Sequence, residues 1–244
     1  LLLMFEKPLY IFKDLIRILI AYFPPDLYKR MLSISIREHK YPNAFKGKNH
    51  FDTSRFALWD FTCEEIGRDS KLTYLDFGVW NGRSIKYFSE NFVNPSNIFL
   101  GLDTFEGLPE EWSTAKIEKG AYDSFGKVPI MSDERVSFYK GMFQDTHEKW
   151  LKDISLHDEN TLFCHFDADI YSATLFGLTK IGSLKKPFYC IFDQFFGDET
   201  RALEDFKASY LFKAELIASG VNSRNKLRQI TNRNVLFKIS PLES

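Results

Sequence analysis

Four aspartates close apolar runs in this chain, and their positions decide what chemistry it can hold. Asp167 and Asp169 follow the run Thr161 to Phe166, and Asp193 and Gln194 follow the run Phe188 to Phe192. Residues two apart point to one face while extended geometry lasts, so Asp167 and Asp169 are expected to point together. Clustered carboxylates repel one another unless a proton or a cation offsets the charge. Oxygen-only donors suit Mg²⁺, which keeps several waters and takes few protein carboxylates. The alternative is that Asp169 caps the following helix and Asp193 holds backbone N–H groups, with no metal. The fourth aspartate, Asp103, ends the run Ile98 to Leu102. A carboxylate at the end of a second strand can accept two hydrogen bonds from ribose hydroxyls.

A ligand with a ribose also needs a turn that lets it come close. Leu72 to Phe77 is a short apolar run of the kind that makes a buried strand. Gly78 and Gly82 then turn the chain into a helical pattern with Ile85, Phe88 and Phe92 on one face. Such a turn presents backbone N–H groups, and the helix start behind it favours negative charge. The dinucleotide fingerprint asks for a third glycine, which is absent, and this disfavours a dinucleotide-dependent oxidoreductase.

The stretch Asp76-Phe-Gly-Val-Trp-Asn-Gly-Arg-Ser84 resembles the first motif of the catechol O-methyltransferase-like group of class I S-adenosylmethionine-dependent methyltransferases. Gly101-Leu-Asp-Thr-Phe-Glu-Gly-Leu-Pro109 resembles, more narrowly, the macrocin O-methyltransferase family. The resemblance runs from about Phe51 to Phe206 and implies S-adenosylmethionine as cofactor. It assigns the ribose hydroxyls to Asp103, close backbone approach to Gly78 and Gly82, the methionine amine to Asp76 and its carboxylate to Ser84. Trp80 occupies a place in the turn where the family often has an aromatic residue, and Phe143 and Gln144 fall nearest the adenine. Metal ligands carry over to Asp167, Asp193 and Gln194. At Gln194 the macrocin family usually has an acid, whereas the catechol-type enzymes use an amide. The catechol-type lysine has no counterpart, since Ile170 stands there. The candidate bases are His165 and Asp169, although a strand histidine is more often a packing residue. The implied reaction is methyl transfer to a small-molecule hydroxyl, of a sugar or glycosylated natural product, with Mg²⁺ assisting. Gln194 and the missing lysine leave open a second function, a catalytically inactive S-adenosylmethionine-binding interaction module.

Strands alternating with helices must position these residues. The pattern predicts a Rossmann-like, doubly wound α/β fold: a mostly parallel seven-stranded sheet with helices on both faces. Right-handed crossovers would bring Asp103, Asp167, Asp169 and Asp193 to one edge. Before the first strand, Asp52-Thr53-Ser54 is a helix N-cap, and the helix turns Phe56, Trp59 and Ile66 inward and stops at Gly67. Residues 104–132 have no clean period, and a loop this long suggests a lid. The tail offers two β-like runs, Ala214 to Ala218 and Asn234 to Ile239, separated by a basic stretch from Asn222 to Arg233.

Residues 1–50 read as an N-terminal helical extension and 51–244 as the methyltransferase domain. Leu9 to Phe23 is apolar but interrupted by Lys13, Asp14 and Arg17, too short and too charged for a transmembrane segment. It reads as an amphipathic helix that packs on the domain or forms a homo-oligomer, with an interfacial membrane helix as the alternative. Residues 26–50 read as a connection with one short helix. A net charge of −1 gives no basic field for nucleic acid. The three isolated cysteines, Cys63, Cys164 and Cys190, suit reduced core residues in a cytoplasmic protein.

Overall fold

A strand buried on both faces needs a continuous apolar run, and Leu72–Phe77 is buried at every position. It is β2 of an eight-stranded sheet in a computed structural model. The structure describes residues 13–242 apart from 15, 19–20, 23, 43, 47–48, 52–53, 114, 196 and 222–232. The other strands are β1 (His50–Phe51), β3 (Ile98–Asp103), β4 (Val136–Lys140), β5 (Thr161–Phe166), β6 (Phe188–Phe192), β7 (Phe212–Val221) and β8 (Arg233–Pro241). Their order is β1-β7-β8-β6-β5-β2-β3-β4. All neighbours are parallel except where β8 lies antiparallel between β6 and β7. The Rossmann-like α/β reading therefore holds. The strand beyond the expected seven is β1, whose two residues carry no readable period; it pairs with β7 through His50 and Ser219.

The helices α1 (Pro25–Lys40), α2 (Arg55–Ile66), α3 (Arg83–Asn91), α4 (Phe143–Leu156), α5 (Tyr171–Gly182) and α6 (Asp198–Tyr210) accompany the sheet. Alternate strand residues feed opposite layers. Leu75, Phe77, Cys164, Phe166 and Phe192 pack with Trp150, Leu178 and Phe206 from α4, α5 and α6. On the other face Tyr74, Phe99, Phe163 and Ile191 meet Leu58, Trp59 and Cys63 of α2 and Ile85, Phe88 and Phe92. All three cysteines are free and buried.

Two helix readings change. In place of one short helix, α1 runs for 16 residues. In α2, Phe56 is exposed, while Leu58, Trp59, Thr62 and Cys63 form the buried face. Ser54 makes no side-chain cap bond, and Asp52 and Thr53 lie outside the described residues, as does nearly all of the basic stretch from Asn222. Of the Leu9 to Phe23 helix, the described residues from 13 to 18 are helical. No described helix is long and apolar enough to cross a membrane.

The chain leaves β2 for β3 and β4 on one side, then returns to β5 on the other side of β2. Beyond the carboxyl ends of β2 and β5 the strand order reverses, and a crevice for ligands opens there. The Gly78 turn and the Asp167–Asp169 segment sit at that place.

Candidate functional site

The turn after β2 is built by Asp103. Its Oδ2 accepts the backbone N–H groups of Val79 and Trp80, both at 2.8 Å, and its Oδ1 accepts that of Phe105 at 2.7 Å. A carboxylate offers about four lone-pair sites, so these three bonds leave one for a ligand. The glycines of the turn make room for protein as well. Gly78 has φ +93°, and a Cβ there would collide with the carbonyl oxygen of Asp167. Gly82 has φ +77°, and a Cβ there would run into Met131 and stand 3.1 Å from the Pro129 Cβ. Gly78 thus admits the end of β5, and Gly82 seats the end of the 104–132 segment.

Asp76 lies fully buried under this turn. It accepts hydrogen bonds from Ser84 Oγ at 2.5 Å and from His165 Nδ1 at 2.8 Å. Asp76 and His165 face each other because they are register partners on β2 and β5. His165 Nε2 lies 3.9 Å from Asp193 Oδ1. Burial pulls the imidazole pKa down, but the bond and charge of Asp76, with Asp167 and Asp193 behind, hold it above the ordinary value.

Asp193 is 1% exposed, and its Oδ1 is shared. Arg55 Nη1 stands 3.3 Å away, and Asn234 Nδ2 donates to it at 2.6 Å. Gln194 donates its backbone N–H to Glu199 Oε2 at 2.9 Å and its side-chain amide to Asp169 Oδ1 at 3.4 Å. Asp169 is buried with φ +62°, a left-handed conformation that aspartate tolerates better than most residues. Burial, then Asp193, pushes its pKa up to about 8. Burial, then Asp193 and Asp169, holds the Asp167 carboxyl well above the ordinary range.

Asp103, Asp167, Asp169 and Asp193 line a cleft of about 360 Å³, within the range of small-molecule sites. Its wall includes the Gly78 turn with Asp103, the start of α4 at Phe143 and Gln144, and the acidic group of Asp167, Asp169 and Asp193 with Gln194; Trp80 and Ser84 line it as well. Three expected site residues do not line it: Asp76, Gly82 and His165. His165 is enclosed by Trp59 and Phe88, with ring centroids 5.7 and 6.2 Å away, so its imidazole has no direct path to an acceptor. Arg55, Trp59, Tyr122 and Met142 line the cleft without having been expected there. Arg55 opens α2 beside Trp59, whose ring centre lies 5.9 Å from its guanidinium carbon. A lone arginine at a helix start carries no signal in sequence, and its partner Asp193 lies just past the end of β6.

The 104–132 segment is structured. Trp112 and Ile117 bridge, Leu108 exchanges backbone bonds with Gly120 and Ala121, and Glu110 accepts the Ser172 hydroxyl across the cleft at 2.5 Å. Tyr122 meets Trp80 edge-on, with ring centroids 6.1 Å apart. Both rings are nearly half exposed.

The expected metal donors Asp167, Asp193 and Gln194 all line the cleft, and two of them are already engaged by protein. Among the described residues no group of three or more histidine, cysteine or acidic side chains could hold a metal ion. Asp193 Oδ1 already meets a guanidinium and an amide, and Gln194 turns its amide nitrogen to Asp169. Arg55 supplies part of the positive charge that a metal would bring.

No protein-family model matches the chain, and no curated protein matches its sequence. Among solved structures it is similar to a Podospora anserina methyltransferase bound to S-adenosylhomocysteine, at 14% identity and TM-score 0.41, over 91% of this chain and 89% of that one. It is similar to a precorrin-6y C5,15-methyltransferase from Geobacter metallireducens at 13% identity and TM-score 0.40, over 78% and 92%. A third is an S-adenosylmethionine-dependent O-methyltransferase from Thermotoga maritima, at 12% identity and TM-score 0.38, over 76% and 65%.

Proposed function

We propose that the chain is an S-adenosylmethionine-dependent O-methyltransferase acting on a small-molecule hydroxyl, of a sugar or glycosylated natural product. One observation carries the reading. The glycine turn held by Asp103 stands at the reversal of strand order and opens onto a cleft that Asp167, Asp169 and Asp193 also line. Asp103 keeps one acceptor site for a ribose hydroxyl, Ser84 at the start of α3 faces the amino acid end, and Phe143 and Gln144 lie on the adenine side.

S-adenosylmethionine supplies a methyl group on a positively charged sulfur. The chain must place the acceptor oxygen opposite that sulfur, and positioning of this kind supplies much of the rate. Asp169 lines the cleft, and a carboxyl with a pKa near 8 suits a base that takes the hydroxyl proton near neutral pH. His165 acts beneath, holding Asp76 through its Nδ1. Trp80 and Tyr122 offer ring faces at the mouth, a surface that suits a sugar.

A second reading, cofactor binding without transfer, is favoured by Gln194 in place of an acid. Isothermal calorimetry with S-adenosylhomocysteine tests both: Asp103→Ala is expected to lose about 1.5–3 kcal/mol of binding. Transfer of labelled methyl to nucleotide sugars or glycans then separates the enzyme from the module. Unchanged affinity in folded Asp103→Ala would overturn the ribose assignment. Leu27, Tyr28, Met31 and Leu32 leave an exposed apolar stripe on α1, which supports self-association through the N-terminal extension, read by light scattering.

A further inference from the structure

The cleft is acidic at one end. Asp167, Asp169 and Asp193 line that end, and Arg55 is the cationic lining residue paired with them. Two further buried groups beside the cluster each keep one polar atom without a hydrogen-bond partner. Glu199 is 1% exposed; its Oε2 takes the Gln194 N–H, while its Oε1 has no hydrogen-bond partner among the described residues. His165 Nε2, also fully buried, has no hydrogen-bond partner and stands 3.9 Å from Asp193 Oδ1. The acids also abut the glycine turn, because the Asp167 carbonyl fills the space of a Gly78 Cβ.

We propose that this acidic end recognises the positive charge of the methyl donor, with Asp167 and Asp169 beside the sulfonium of S-adenosylmethionine. The inference rests on the cofactor reading above. In that cofactor the sulfur joins the methionine chain to the ribose. With the ribose at Asp103, the sulfur falls beside the Gly78 turn, which the Asp167 backbone abuts. A cation there favours the ionised form of Asp167 and Asp169, whose burial and mutual repulsion Arg55 offsets only in part. When the methyl leaves, the sulfur becomes a neutral thioether and the attraction ends. The site then holds substrate more tightly than S-adenosylhomocysteine, which limits inhibition by product.

Calorimetry at one pH, in chelator-containing buffer, tests this with the two pure ligands. Wild type is expected to bind S-adenosylmethionine roughly tenfold more tightly than S-adenosylhomocysteine, the scale of one partly screened charge contact. Asp169→Asn is expected to lose most of that ratio by weakening only the charged ligand, and Asp169→Glu to keep it. Asp167→Asn serves the same purpose should Asp169→Asn fail to give a native circular dichroism spectrum. Equal affinities in wild type, or an unchanged ratio in the folded asparagine variant, would overturn the inference alone. Failure of both ligands to bind folded wild type would overturn the cofactor reading beneath it.

Discussion

Gly78 and Asp167 touch through backbone: a Cβ on the glycine would collide with the aspartate carbonyl oxygen, with the carbonyl carbon 2.7 Å away. Two strand ends thus share one contact, and neither side is a flexible side chain that can swing aside. Gly78 also has φ +93°, which an alanine adopts only with strain. Gly78→Ala is expected to destabilise the fold by about 2–4 kcal/mol, combining backbone strain with overpacking. Urea unfolding measures this. A loss below about 1 kcal/mol would mean that the β2 and β5 ends separate easily.

Arg135 fastens the base of the 104–132 segment to α3. Its guanidinium donates to the carbonyls of Ser89, Phe92 and Asn94 and pairs with Asp133 at 2.6 Å. Arg135→Ala is expected to cost about 2–4 kcal/mol, since three carbonyls and a carboxylate lose a charged donor. The Arg135 bond, partly opposed by burial, holds the Asp133 pKa below its ordinary value. A depressed folded-state pKa gives stability that is present above the unfolded value near 4 and lost as pH falls through the folded value. The difference between wild type and Asp133→Asn should therefore shrink on acidification below about pH 4. A constant difference would remove the pair from the stability of the fold.

The two ends of this site differ in how readily sequence exposes them. Asp103, Asp167 and Asp193 were legible because each ends a continuous apolar run, and a parallel sheet brings such ends to one edge. His165 was harder to place: one residue before Phe166 it still belongs to the strand, where Trp59 and Phe88 cover it. Arg55 and Asn234 reach Asp193 from α2 and β8, so only tertiary folding joins them. For α2 the apolar residues stand around the helix, and no stripe distinguishes the face of Phe56 from that of Leu58 and Trp59. Gly78 and Gly82 were found by spacing, yet both are required by neighbouring protein, which spacing does not reveal.

Lys116, Lys119 and Lys127 are exposed on the 104–132 segment, whose tip also exposes Phe125 and Ile130. Few apolar contacts hold such a tip, so local opening should admit protease. Trypsin is expected to cut there first, and S-adenosylhomocysteine to slow the cut, because Leu108 and Tyr122 line the cleft. Equal rates with and without ligand would separate this segment from cofactor binding and leave it as a fixed surface excursion.

The last expectation concerns Mg²⁺. Asp193 Oδ1 is held by Arg55 and Asn234, and the Gln194 amide bonds to Asp169, so a cation would have to displace bonds already made. A ligand that binds only the native state raises apparent stability with its concentration. Millimolar Mg²⁺ is therefore expected to leave the melting temperature of wild type unchanged. Arg55→Ala removes the guanidinium and exposes Asp193 to a competitor, so this variant should respond to the cation where wild type does not. Comparing the two in metal-free buffer separates a protein cation from a metal as the partner of Asp193. A saturable rise of several degrees in wild type, abolished by Asp167→Asn, would restore Asp167, Asp193 and Gln194 as ligands. Arg55 would then be a residue that gives way when the metal binds.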